Sequence, residues 1–167
     1  MSIMQLIKER RSIRKYRPDP IEPEKLAQIA EAFRLAPSAR NLQRWKLYIV
    51  TDPAARERIS NGSPTKNTMA VEAPCVLVVT GTTQDVMANG HRVDTTDGSI
   101  ALSFAMLAAQ ELGLGTCWMG YYTEDGIRKA LGLPEDISIV AIMPLGYPDE
   151  SPNARPRNDV CDVVEYV

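Results

Sequence analysis

The 167-residue sequence has one histidine and three cysteines, and each scarcity closes off a class of chemistry. His91 stands in the polar run Ala88-Asn89-Gly90-His91, so a histidine-based metal site has no second ligand of its kind. A Ser-His-Asp triad would have to run through that one residue, and no G-x-S-x-G elbow accompanies it. His91 therefore reads as a surface or loop residue that at most tunes a pocket. Cys75, Cys117 and Cys161 are widely spaced, odd in number and without CxxC spacing. That disfavours a disulfide scaffold, a zinc site and an iron–sulfur cluster. Cys75 lies in an apolar run and reads as inert core; Cys117, near a glycine turn, reads as packing rather than as a nucleophile. The N-terminus has no long apolar run, so neither a signal peptide nor a membrane span is expected, and the default is a soluble cytoplasmic protein. Charge of one sign is also lacking. A net charge of -2 argues against a nucleic-acid binder held by bulk electrostatics, so any anion site must be built locally. Gly113-Leu114-Gly115 follows a helical pattern and lacks a third glycine, and no P-loop is present, which disfavours a dedicated dinucleotide fold.

What is present suits one domain over residues 1–167. The hydrophobic content of 44% is ordinary for a globular chain, and no repeat, low-complexity tract or linker divides it. Residues 1–10 read as a short helix with Ile3, Leu6, Ile7 and Arg10 on one face. Pro18, Pro20 and Pro23 then enforce an extended connector. Residues 24–35 form a second helix with Leu26, Ile29, Ala30 and Phe33 as its buried stripe. Residues 45–50 have strand composition. Asp52 and Pro53 open a short charged helix to about residue 60, and residues 66–71 suit a helical turn. Residues 75–80 are almost wholly apolar, as in a strand covered on both faces. Residues 81–93 look like an irregular, mobile surface segment. Residues 97–112 form the longest helix, apolar nearly all round, which implies burial at a subunit interface and hence a dimer. Thr123 caps a further helix to residue 131. Residues 137–143 are strongly β-prone, and residues 160–167 form a β-prone tail. Together these give an α+β sheet with helices on both faces.

No pair of residues announces acid/base or nucleophilic catalysis. The sequence shows instead places to bind something polar. Arg10, Arg11, Arg14 and Lys15 crowd around the hydroxyl of Ser12, a set of donors that suits a phosphate. Taken alone, that cluster reads more readily as a solvated helix end complementing the macrodipole. Arg155 and Arg157 tip the balance, because two distant arginine groups in a slightly acidic chain are better explained by a shared anion. At a helix C-terminus the dipole disfavours an anion, so binding has to come from side chains. Ligand contacts without catalytic side chains are what a cofactor enzyme looks like, since the cofactor supplies the reactivity.

The runs Arg-Arg-Ser-Ile-Arg-Lys-Tyr (10–16), Ala-Pro-Ser-Ala-Arg-Asn-Leu-Gln-Arg-Trp (36–45) and Gly-Leu-Gly-Thr-Cys-Trp-Met-Gly (113–120) occur in that order, followed by Leu-Gly-Tyr-Pro (145–148) and Arg-Pro-Arg (155–157). In this the chain resembles the short members of the nitroreductase family of FMN-dependent oxidoreductases. The resemblance implies a central, mostly antiparallel sheet flanked by helices, in an intertwined homodimer with FMN at the subunit interface. It implies that Arg10, Arg11 and Ser12 hold the phosphate and ribityl chain, with Arg14 nearer the pyrimidine edge and Arg155 and Arg157 closing the phosphate clamp. It places Pro37, Ser38, Ala39, Asn41 and Gln43 on a loop reaching the flavin of the other subunit. Met119 and Gly120 fall where backbone faces flavin N5 and O4, and Lys66 or Asn67 where a polar side chain meets the ring. The C-terminal tail would wrap onto the partner. The implied activity is hydride transfer from NADH or NADPH to the flavin, then electron transfer to a nitroaromatic, quinone or similar acceptor by a ping-pong cycle. No metal and no catalytic side chain are implied. The alternatives are a non-catalytic flavin-binding or redox-sensing protein, and a specialised flavin enzyme of the same fold acting in dehalogenation, enoate reduction or flavin fragmentation. One departure stands out: Arg44 occupies the place of the family's usual proline before Trp45.

Overall fold

The computed structural model describes residues 2–65, 67–82 and 85–167. Four strands, Trp45–Val50 (β1), Cys75–Gly81 (β2), Gly115–Thr116 (β3) and Ser138–Gly146 (β4), form one sheet in the order β1-β2-β4-β3. Every neighbouring pair is antiparallel. The apolar run of β2 explains its central place, since all seven of its residues are buried. Alternation divides them between two cores. Leu77 and Val79 point with Ala141 and Met143 towards one face, and Val76 and Val78 with Ile142 towards the other.

The helices Pro23–Arg34 (α2) and Val93–Glu111 (α5) cover the first face. The helices Pro53–Asn61 (α3), Thr68–Glu72 (α4) and Glu124–Leu131 (α6) cover the second. Local chemistry sets their starts: the Asp52 carboxylate accepts the Ala55 amide at 2.8 Å with Pro53 in the first turn, and the Thr123 hydroxyl accepts the Gly126 amide. Ile29 and Phe33 of α2 are buried while Leu26 and Ala30 are half-buried, so its apolar stripe forms as expected.

Several expectations are corrected. In the first helix, Ile3–Glu9 (α1), only Leu6 is buried, and Ile3, Met4 and Ile7 face solvent. Residues 160–167 are not a strand: Val160–Val163 is a short helix (α7), and every residue from 153 to 167 is exposed. Among the described residues, the segment thought irregular is a tight turn. The Met87 amide bonds the His91 carbonyl at 2.8 Å and the Val93 amide that of Asp85 at 3.0 Å. The two-residue strand β3 has no apolar pattern to announce it. Finally, α5 begins at Val93, four residues before the expected Asp97.

That earlier start buries two carboxylates, each with a tertiary partner. Asp94 has no solvent exposure. It accepts from the Arg92 guanidinium at 2.6 and 3.0 Å, from the Thr95 amide and from the Ser138 hydroxyl. Burial pushes its pKa up, but the hydrogen bonds from Arg92 and Ser138 outweigh that and leave it below the ordinary carboxyl value. A folded-state pKa below the unfolded one gives stability that is present above about pH 4 and lost as the pH falls through the folded pKa. Asp94→Asn therefore flattens the acid limb of stability: the gap between the urea midpoints of wild type and variant is full at pH 7 and narrows as the pH falls below about 4. A gap that does not change with pH would contradict the lowered folded pKa.

Candidate functional site

Two arginine groups 140 positions apart in the sequence meet on one cavity of about 570 Å³. Arg10, Arg11, Ser12, Arg14, Arg155 and Arg157 line it, with Lys8 and the strap Pro152, Asn153 and Ala154. Among the described residues none of these arginines is ion-paired within the protomer, whereas Arg17, Arg34, Arg44, Arg92 and Arg128 each have a carboxylate partner. Five unpaired guanidinium groups facing one concavity in a chain of net charge -2 form a local anion site. The cluster is not uniform. One arm of Arg11 donates to the Lys8 and Arg10 carbonyls at 2.7 and 2.8 Å, so Arg11 caps the end of α1 as well as lining the cavity. Arg10, Arg14, Arg155 and Arg157 keep most of their donors for a ligand.

The backbone behind the cluster is held by the 113–120 segment. The Ile13 amide bonds the Thr116 carbonyl at 2.9 Å, and Ser12 pairs with Thr116 as a parallel bridge. Gly115 permits this: a Cβ there would lie 2.6 Å from Ile13. Cys117, next along, is buried. Burial pushes its thiol pKa up, partly offset by Arg14 and Arg10, which fits packing better than nucleophilic use. Cys75 is likewise inert, its thiol pushed up to about 12 by burial.

Met119 is buried and bridges to Ile142. The Asn67 side chain donates to its sulfur at 3.1 Å, so the structure brings Asn67 and Met119 together. Lys66 lies outside the described residues. A Cβ on Gly120 would meet no atom of the protomer within 4 Å, and its φ is not in the left-handed region. Neither internal packing nor backbone conformation accounts for the glycine, which leaves its face open to a group from outside the protomer.

Pro37, Ser38, Ala39, Asn41 and Gln43 do not line the arginine cavity. They sit on a loop over the start of α5, where the buried Asp97 carboxylate accepts the Ala39 amide at 3.0 Å. Three residues of this loop other than glycine, Arg40, Asn41 and Gln43, have φ near +50°. The Ser38 hydroxyl accepts the Gln43 amide, and the Gln43 side chain donates to the Asn41 carbonyl and side-chain oxygens. Beyond it, Arg44 pairs with Asp85, which ties the start of β1 to the 85–93 turn. His91 lies exposed at that turn, and the neighbouring cavity is lined by Ala39, Arg40 and Met87 rather than by His91. Asp97, Lys8 and Glu150, discussed below, are the residues that sequence reasoning passed over; only Lys8 carried a signal, its cationic side chain one turn before Arg11.

Comparison with known proteins bears on the family and the fold. The model of the nitroreductase family matches residues 7–63 and 61–147. An NADH dehydrogenase of Thermus thermophilus is 32% identical over 174 aligned positions, covering 85% of this chain and 84% of its own. The FMN-dependent nitroreductase of Clostridium difficile R20291 superposes with a TM-score of 0.83 at 31% identity, covering 98% of both chains. The NADPH:FMN oxidoreductase of Vibrio harveyi, solved with NAD+, superposes with a TM-score of 0.88 at 27% identity, covering 98% of this chain and 76% of that one.

Proposed function

The chain belongs to the nitroreductase family, and from that premise we propose that it is a homodimeric, FMN-dependent oxidoreductase using NADH or NADPH, a single FMN-binding domain over residues 1–167. The observation that carries the reading is the cavity of unpaired guanidinium groups contributed by both ends of the sequence. Its donor-rich lining, without a carboxylate, fits the phosphate of FMN. Arg10, Ser12, Arg155 and Arg157 would hold that phosphate and the ribityl chain, Arg14 would lie towards the pyrimidine edge of the ring, and the open face of Gly120 leaves room for the ring. The redox chemistry is FMN's: hydride from NAD(P)H in, electrons to a nitroaromatic, quinone or similar acceptor out, in alternating half-reactions. The protein's part is to bind, orient and exclude water.

The dimer is supported by what one protomer leaves incomplete. The loop bearing Pro37, Ser38, Asn41 and Gln43 does not line its own arginine cavity, so a second copy would bring loop and cavity together. An apolar groove of about 410 Å³ formed by Ile3, Leu6, Phe104, Leu107 and Ala108 and the exposed Val160, Val163, Val164 and Tyr166 of the tail supply surfaces for that contact. Among the described residues no helix is long and apolar enough to cross a membrane.

The test is direct. Purified protein mixed with FMN and passed through a desalting column should carry about one flavin per chain by visible absorption. It should then oxidise NADH or NADPH in the presence of a quinone or nitroaromatic, with parallel double-reciprocal lines. Protein that binds no FMN refutes the assignment. Protein that holds FMN but is not reduced by either nicotinamide is a flavin-binding sensor instead.

A further inference from the structure

The side chains that line the arginine cavity do not explain why its two halves face one another. The strap from residue 151 to 158 makes no hydrogen bond within the protomer, among the described residues, yet it carries Arg155 and Arg157. Just before it, the chain pairs with the connector that carries the other half. The Arg17 amide bonds the Tyr147 carbonyl at 2.9 Å, Tyr16 bridges to Pro148, and the Asp149 amide bonds the Lys15 carbonyl at 3.0 Å. The last link is a side chain. The Glu150 carboxylate accepts the backbone amides of both Arg14 and Lys15, the second at 3.3 Å.

Glu150 is an acid beside unpaired guanidinium groups, and it is ion-paired with none of them, among the described residues. Its charge is given instead to two consecutive backbone amides, which fixes the peptide that carries Arg14 and the point where the strap departs. We propose that Glu150 is a positioning residue for the anion site: it locks the Arg10–Arg14 half and the Arg155–Arg157 half into one clamp. The proposal rests on the flavin reading above, since it takes the clamp's ligand to be the phosphate of FMN.

Electrostatics and positioning make opposite predictions here. If Glu150 acts only as a nearby charge, removing it leaves the cavity more positive and tightens the binding of an anion. If it positions the clamp, removing it releases the Arg14–Lys15 backbone and the strap, and anion binding weakens. The experiment is fluorescence titration of the full chain with FMN and with riboflavin, which lacks the phosphate, for wild type, Glu150→Ala and Glu150→Gln. The expected result for Glu150→Ala is FMN affinity lower by about tenfold or more, the scale of one lost charge-assisted hydrogen bond, with riboflavin affinity within about twofold, inside the spread expected for a surface change. Glu150→Gln keeps an oxygen that accepts from backbone and should retain FMN affinity at or above the wild-type value. Unchanged or tighter FMN binding by Glu150→Ala overturns the proposal. So does an equal loss for riboflavin, which would mean general damage to the fold, and so does failure of Glu150→Gln to rescue. Wild-type protein that binds no FMN overturns the flavin reading itself and this inference with it, whereas FMN-binding wild type with an unaffected Glu150→Ala overturns Glu150's role alone.

Discussion

Arg10→Ala combined with Arg157→Ala lowers FMN affinity by on the order of a hundredfold or more, because each charge-assisted hydrogen bond to a phosphate contributes about 1.5–3 kcal/mol. The two residues come from opposite ends of the sequence and line one cavity, so each substitution removes donors from one half of the clamp. Neither side chain is buried in the core, and neither has an ion-pair partner among the described residues. The fold therefore tolerates their loss. Thermal unfolding of the flavin-free protein should shift little, while fluorescence titration shows weak FMN and nearly unchanged riboflavin binding. Retention of wild-type FMN affinity in the double variant would refute the clamp. Raising the salt concentration should mimic the substitutions in wild type, since screening weakens contacts between an exposed guanidinium and phosphate.

On the proposed shared site, Phe104→Arg should yield a monomer and with it abolish flavin binding at micromolar concentrations. Phe104 is 44% exposed on α5, beside the groove-forming Ile3, Leu107 and Ala108. In a monomer a charge there reaches solvent at small cost, within about 0.5 kcal/mol for an ordinary surface change. In an interface it would be an unpaired buried charge, which costs several kcal/mol. Light scattering should report the mass of one chain, with native circular dichroism. A dimer of wild-type affinity, or a monomer that binds FMN as tightly as wild type, would refute a site shared between subunits.

The central strand and the anion cluster were legible in the sequence for the same reason: each is an excess of one residue type with no local use. Cys75–Gly81 has no polar face to give to solvent. Arg155 and Arg157 flank Pro156 outside any helix and have no ion-pair partner among the described residues. What stayed hidden depends on partners far away along the chain. Asp94 and Asp97 look like ordinary residues at the start of a helix, and only the fold supplies the Ser138 hydroxyl and the Ala39 amide to bury them against. Glu150 takes its role from backbone amides 135 and 136 positions away, and an amide carries no mark in the sequence. The tail was misread because valine favours strands only where a neighbouring strand exists. Val160–Val163 has none and coils into one helical turn.

The loop over Asp97 trades rigidity of shape against ease of folding. At Arg40, Asn41 and Gln43 glycine would adopt the same φ with no steric penalty. The chain carries side chains there instead, each at about 1 kcal/mol or more of backbone strain. A glycine-built loop would reach the same curve with nothing to offer at its rim. This one carries the exposed guanidinium of Arg40 beside the Gln43 and Asn41 amides, which are bonded to each other. Arg40→Gly, which relieves the strain without removing a hydrogen bond among the described residues, should accordingly leave the unfolding midpoint unchanged or raised, whereas Gln43→Gly also loses the two bonds to Asn41 and should lower it.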